Sequence, residues 1–294
     1  MFYLLAVILL NTLLYAFFKV FPKYKVDTFQ AIVANYWTCV ATGSIFLGYF
    51  PVNGGSISEP WLPWAMLMGA GFISIFNLVG YCTRIDGITT ATIANKLSLV
   101  IPVLFSVFLY SEHLTSIKLL GILLAFPAVY LTTRVKGEEG KMQSLFWPAL
   151  LFLGSGLLDT LVKFVEQAYL DTQQVQAEYT IHVFSTAAII GTVLVSFLAV
   201  TKKTRLHPRN IIAGILLGIP NFFSIYYLIR LLNSDYMQSS AAIPISNIGV
   251  VIASSISAIL IFKESANRQR IVGLLLAIMA ILLISLGDIY GGSN

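Results

Sequence analysis

Ten runs of apolar residues, each long enough to cross a bilayer, follow one another along this chain with short polar breaks between them. A hydrocarbon core about 30 Å thick takes about 20 residues of helix to span. The runs cover approximately 2–20, 28–50, 61–84, 88–110, 115–134, 145–166, 177–200, 210–232, 237–262 and 268–289. They are continuous and do not alternate with period two, which argues against a transmembrane barrel. Unpaired backbone polar groups are not tolerated in lipid, so helices remain. The chain is 57% hydrophobic and 11% charged, against roughly 25% charged in a soluble domain. The expected fold is an all-α integral membrane protein with ten transmembrane helices. The first run is read as a membrane helix and not as a signal peptide, because no basic residue precedes Lys19 and no A-x-A-like site follows. Cys39 and Cys82 both lie inside apolar runs, where they read as small packing residues.

The basic residues are unevenly placed. With loops numbered by the run that precedes them, the odd loops and their helix ends hold Lys19, Lys23, Lys25, Arg84, Arg134, Lys136, Lys141, Lys202, Lys203, Arg205, Arg209, Lys263, Arg268 and Arg270. The even side holds Lys118, Arg230 and Lys163. Cytoplasmic loops are enriched in Lys and Arg, so the odd loops are expected in the cytoplasm and both termini outside it, in a multi-pass protein of the cell (plasma or inner) membrane. The net charge of +5 is then the positive-inside bias, and no nucleic-acid partner is implied.

An internal repeat is also legible. A shift of 152 residues pairs Ile93 with Ile245, Asn95 with Asn247, Glu112 with Glu264 and Gly121 with Gly273 without a gap. A shift of 148 pairs Thr12 with Thr160 and Gly43 with Gly191. The polar stretch Arg134–Ser144 splits the chain into two units of five runs each, 1–140 and 141–294. Five is odd, so the second unit enters the membrane from the opposite side. The expected architecture is two inverted five-helix repeats, with a substrate site between repeats near the midplane.

Thr90-Ala91-Thr92-Ile93-Ala94-Asn95 leads to Pro102, then to Tyr110-Ser111-Glu112-His113-Leu114 and Gly121. Ala242-Ile243-Pro244-Ile245 leads to Phe262-Lys263-Glu264 and Gly273. A short polar run into a helix, then a Glu past its end and a Gly nine residues on, resembles the EamA-like branch of the drug/metabolite transporter superfamily in both halves. The resemblance implies a ten-helix fold with a central cavity and a secondary transporter of small metabolites, often an exporter. The family is usually drawn with both termini in the cytoplasm, whereas the charge bias here points the other way.

Charged groups inside spans are rare and functional by default. Lys96 sits about eight residues into the fourth run, roughly 12 Å deep. Its ammonium suits a substrate carboxylate or phosphate, or pairs with a carboxylate on a neighbouring helix. Asp159 and Lys163 are spaced i,i+4 on the sixth run and form a candidate pair. Asp159 is alternatively the partner of Lys96 and a proton carrier. Glu178 and His182, four apart at the start of the seventh run, are further proton-coupling candidates. Asn11, Asn77, Asn95, Asn221 and Asn247 fall inside spans, where an Asn serves helix–helix hydrogen bonding or a cavity. Asn95, Asn247, Asn11 and Asn77 join Lys96 as substrate-binding candidates, with the aromatics Tyr36, Trp37 and Tyr226. Trp61, Trp64 and Trp147 read as an interfacial belt. Glu112 and Glu264 are expected to brace loops, Glu112 with Lys118 and Glu264 with Arg268. The three His show no metal-site spacing, and no cofactor is implied.

These residues point to a secondary active transporter that moves a small polar metabolite by alternating access, in the lipid bilayer, as a monomer or homodimer. An amino acid or related zwitterion is the first reading, on the strength of one deep Lys, several Asn and many aromatics. Rival readings are uptake of a sugar or nucleotide sugar, a lipid-carrier flippase and a scaffold subunit. An enzyme would need clustered His or paired Asp at catalytic spacing, and the sequence offers neither.

Overall fold

The computed structural model describes residues 1–110, 115–133, 144–232 and 239–291. Glu112 and the loop around Lys136 lie outside these residues. The elements are α1 (Phe2–Val20), the 3-10 turn Phe21–Tyr24, α2 (Thr28–Leu47), the 3-10 turn Gly54–Ser58, α3 (Leu62–Ile85), α4 (Ile88–Leu97), α5 (Val100–Tyr110), α6 (Ser116–Thr133), α7 (Phe146–Tyr169), α8 (Gln173–Val200), α9 (Pro208–Leu232), α10 (Ser239–Leu260) and α11 (Arg268–Gly291). Nine helical stretches among the described residues are long and apolar enough to cross a membrane. The remaining long helix, α2, carries Gln30, Asn35 and Thr38, and all three hydrogen-bond within the protein. That internal pairing lets a more polar helix sit in an apolar surround.

The fourth run was expected as one helix over 88–110. Instead it breaks at Ser98-Leu99 into α4 and α5. The cause is Pro102, which has no N–H to give the Ser98 carbonyl four residues back. Ile101 N–H takes that carbonyl instead, at 2.9 Å. Pro127, Pro220 and Pro244 lie inside unbroken helices.

Two compact units form, each drawing on both halves of the chain. One comprises Met1–Lys19, Val79–Asp159 and Ser224–Asn294, the other Val20–Leu78 and Thr160–Phe223.

In the first unit α6 packs on α11, and α10 packs on α4 and α11. The α6–α11 contact is reciprocal. A side chain at Gly121 would meet the Ala280 carbonyl at 2.9 Å, and also Ile284. One at Gly273 would meet the Ala128 carbonyl at 3.1 Å, and also Thr132. The shift of 152 that takes Gly121 to Gly273 also takes Ala128 to Ala280. The start of each helix meets the end of the other, so the two run antiparallel.

The second unit repeats the device. A Cβ on Gly43 would strike Ile181, and one on Gly191 would strike Val33. Here the shift of 148 relates both the glycines and their partners, and α2 and α8 are antiparallel. A further reciprocal pair joins the flanking helices. Gly69 of α3 lies against Thr186 and the Val183 carbonyl, while Gly218 of α9 lies against Thr38 and the Asn35 carbonyl. Both cysteines are free and buried. Trp61, expected at an interface, is instead 3% exposed. It packs edge-on against Tyr179 and His182, with ring centroids 5.7 and 4.8 Å away.

Gly121→Leu and Gly273→Leu should each destabilise the protein by about 1–3 kcal/mol through overpacking. Gly54→Ala, with nothing within 4 Å of the added methyl, should stay within about 0.5 kcal/mol. Unfolding in detergent measures all three. Leucine tolerated at both helix positions would show that close approach there contributes nothing.

Candidate functional site

The first unit holds a polar cluster inside apolar helices. From α1, the Tyr15 hydroxyl donates to Asn95 Oδ1 at 2.9 Å. Asn95 Nδ2 in turn donates to the Ser155 hydroxyl of α7 at 2.9 Å. Just past the end of α4, the Ser98 hydroxyl donates to the Asn95 carbonyl at 2.5 Å and to Asp159 Oδ2 at 3.3 Å. Lys96 and Asp159 lie within electrostatic reach of one another. They close no contact ion pair among the described residues. Asn95 and Lys96 are half-buried and Asp159 is exposed, so the charges open onto accessible space.

The helix break helps to place these groups. The Ser98 hydroxyl, just past the end of α4 at Leu97, is shared between the Asn95 carbonyl and Asp159. Tyr15 is 4% exposed and Ser155 is 3% exposed, so both ends of the Asn95 amide are fixed by buried partners. Tyr15, Ser98 and Ser155 went unnoticed in the sequence, although Ser155 stands one helical turn before Asp159 and Tyr15 one turn after Asn11.

The other candidates in this unit are placed differently. Asn247 is half-buried, and its amide makes no hydrogen bond among the described residues, so it stays open. Asn11 donates to the Val7 carbonyl of its own helix at 2.9 Å. Tyr226 accepts from Arg230 Nε at 3.1 Å, and the guanidinium sits 5.4 Å from its ring centroid.

The second unit gathers the remaining candidates. Tyr36 is 1% exposed and packs against Phe76 and Phe184. Trp37 is 44% exposed, and its indole donates to the Thr192 hydroxyl at 2.9 Å. Asn77 donates to the Ile73 carbonyl at 2.7 Å. Asn221 joins α9 to α2 by donating to Asn35 Oδ1 at 3.1 Å. Glu178 accepts from the Tyr49 hydroxyl and from Gln174. The Glu178 carboxylate holds the Tyr49 hydroxyl above its ordinary pKa. His182 is 3% exposed. Its Nδ1 meets the Glu178 carbonyl at 2.8 Å, while its Nε2 is buried without a partner among the described residues.

Glu264 was expected to meet Arg268. It pairs instead with Arg270 at 3.7 Å and with Lys19 of α1 at 3.4 Å. Its carboxylate also accepts from the Ile88 N–H at 2.7 Å and from the Thr89 hydroxyl at 3.3 Å. Two free N–H groups and a helix dipole make the start of α4 a good seat for a carboxylate. Arg268, two residues earlier, is exposed. Among the described residues no group of three His, Cys, Asp or Glu forms a metal site.

A family model described as the EamA-like transporter family matches residues 2–134 and 146–286. A protein of Haemophilus influenzae, described as uncharacterized, is 24% identical over 276 residues, covering 90% of each chain. A solved crystal structure of a protein is 15% identical and aligns with a TM-score of 0.58, covering 95% of this chain and 97% of its own. At that identity the likeness is one of fold.

Tyr15→Phe should cost about 1 kcal/mol, the scale of an interhelical hydrogen bond in a membrane. Asn95→Ala should cost more, because it leaves both partners unserved. A double-mutant cycle on the pair, read by unfolding in detergent, should give a nonzero coupling energy. Strict additivity would mean that the two side chains do not bond.

Proposed function

The chain belongs to the EamA-like transporter family, and from that premise we propose that it is a secondary active transporter of a small polar metabolite, with an amino acid or related zwitterion as cargo. The observation that carries this reading is the meeting of Lys96 and Asp159. An ammonium from α4 and a carboxylate from α7 stand in one polar cluster, close but without a contact ion pair among the described residues. A zwitterion offers each its opposite charge, its carboxylate for Lys96 and its ammonium for Asp159. Asn247, with its open amide, is the neutral group we assign to the same cargo.

Alternating access by two inverted five-helix repeats is the mechanism we assign. It is supported by the reciprocal glycine contacts. In two of the three, α6 with α11 and α2 with α8, helices related by the repeat shift meet antiparallel, as inverted copies must. Transport by such a protein proceeds by one set of helices rocking against the other. The same reading puts the odd loops in the cytoplasm and both termini outside, on the strength of the basic residues there. Proton coupling is assigned to Asp159, with Glu178 and His182 as the second-unit candidates. Tyr36, packed among aromatic rings, and Trp37, bonded to Thr192, are weaker cargo candidates than Lys96.

Thermal stability of the purified protein against a metabolite library tests the assignment, with wild type beside Lys96→Gln. A ligand at a hundredfold excess over Kd adds about 2.7 kcal/mol to the bound state. Amino acids should stabilise the wild type, and the substitution should abolish that shift. Ligand shifts that survive Lys96→Gln, with a less stable unliganded protein, would make Lys96 a structural partner of Asp159. A response to sugars that ignores the substitution would favour the sugar reading.

A further inference from the structure

The start of α4 is held by a charged junction that the cargo reading does not use. Four elements of the first unit meet there. Lys19 lies in the last turn of α1, Gly87 directly precedes α4, Glu264 follows the end of α10, and Arg270 lies in the first turn of α11. Glu264 is the common partner. It pairs with both cations and accepts from the Ile88 and Thr89 N–H groups at 2.7 and 3.5 Å.

Backbone geometry on both sides aims the carboxylate. After α10 the chain turns back, with Lys263 at φ +55 and the Glu264 N–H bound to the Ala258 carbonyl at 2.9 Å. On the receiving side Gly87 has φ +95, and a Cβ there would lie 2.8 Å from both Glu264 carboxylate oxygens. A glycine is therefore required twice, for its backbone and for the room it leaves. The shift of 152 carries Glu264 to Glu112, outside the described residues, but carries Gly87 to Ser239. The glycine that admits the carboxylate is thus not repeated.

This junction differs in kind from the glycine contacts of the scaffold. Parting α6 from α11 would lose close packing and gain no hydration. Charges parted at the end of a span regain water, which offsets much of the attraction lost. The Lys19 side chain is already 26% exposed, against 6% for that of Glu264. The junction also joins the two repeats, because Lys19 and Gly87 precede the polar stretch that divides them and Glu264 and Arg270 follow it.

We propose that Glu264 is a releasable latch: seated beside Gly87 it ties α1 and α4 to the α10–α11 turn, and it leaves that seat when the transport cycle opens this end of the first unit. The proposal rests on the alternating-access reading and not on the identity of the cargo. The helix that the latch holds has ten residues and carries Lys96 in its last turn, so movement at its seated end reaches the cargo residues along a rigid rod.

Thiol labelling tests the latch. Cys39→Ala and Cys82→Ala remove the two native thiols, and Asn247→Cys supplies a reporter in the first unit. A charged, membrane-impermeant thiol reagent is added to vesicles of known orientation, from one face and then from the other. Glu264→Gln, which keeps an acceptor for the Ile88 N–H but loses the ion pairs, should speed labelling from the face that bears Lys19 about tenfold, the scale of one charged hydrogen bond. Gly87→Ala, which fills the seat and leaves every charge in place, should do the same. The two together should label no faster than the faster single variant. Arg268→Gln, an exposed charge on the same turn, should change nothing. A static cap would lower stability in the first two variants and leave labelling unchanged, so unchanged rates in Glu264→Gln, or rates that multiply in the double variant, would overturn the latch while the transport reading stands. Should Gly87→Ala fail to fold, Glu264→Gln beside Lys19→Gln decides, since each loosens the α1 arm and both should label faster from that face. A reporter that no variant exposes to either face, with or without amino acids, would overturn the latch and the transport reading together.

Discussion

Backbone meets backbone at Gly121 and Gly273, and the architecture of the first unit depends on that approach. In lipid, apolar side chains gain little by leaving one apolar surround for another. Helices associate through close packing and interhelical polar contacts instead. A glycine lets a neighbouring carbonyl come within contact distance of the helix axis, and a larger residue would hold it off. The contact is made twice between α6 and α11, once from each side. In the second unit Gly43 and Gly191 receive side chains instead, Ile181 and Val33, where α2 meets α8. Gly69 and Gly218 then bring α3 onto α8 and α9 onto α2. Small residues thus do in each unit what a hydrophobic core does in water.

Close packing leaves little room for polar groups, so the ones that remain are informative. Most are answered inside the protein. Asn11 and Asn77 bond back to their own helices, Asn221 answers Asn35, and Asn95 is held from both sides by Tyr15 and Ser155. Among the cargo candidates, the open amide of Asn247 and the charges of Lys96 and Asp159, which close no contact ion pair among the described residues, stand apart. The Asn95 clamp fixes α1, α4 and α7 around those charges. Pro102 breaks the fourth span just beyond them, at Ser98, whose hydroxyl reaches Asp159.

Much of this was legible in the sequence, and the omissions have physical causes. The ten apolar runs give the spans because length and composition suffice to mark them. The matched Gly residues give the repeat because the same close contacts recur at the same spacing. The pairing of Gly69 with Gly218 went unseen because it follows a shift one residue longer than its neighbours. Pro102 was visible, but only the structure shows which carbonyl it orphans. Hydroxyls such as those of Tyr15, Ser98 and Ser155 are common in membrane helices, so partners and not residue type distinguish them. Trp61 was misjudged because a Trp at the start of a run is usually interfacial, whereas here α8 supplies Tyr179 and His182 to cover it. Asp86, in the break between α3 and α4, drew no notice because charges in breaks are ordinarily solvated, whereas it is 1% exposed.

The repeat also shows where the two halves stop being equivalent. The shift of 152 carries Lys96 to Ile248, and the shift of 148 carries Asn11 to Asp159. Each charge in the cluster therefore has a neutral counterpart across the repeat. The glycine contacts that build the scaffold are kept on both sides, and the charges are not. Scaffold contacts gain from symmetry, because one packing solution serves both halves. A binding site for a cargo with two unlike ends gains from its absence, because identical groups on both sides would hold the cargo equally well either way round. On the proposed reading, Lys96 and Asp159 impose a single orientation, while Asn95 and Asn247 are the polar pair that the repeat does keep. One is clamped by its own protein and the other is left open, so even this matched pair has parted in role.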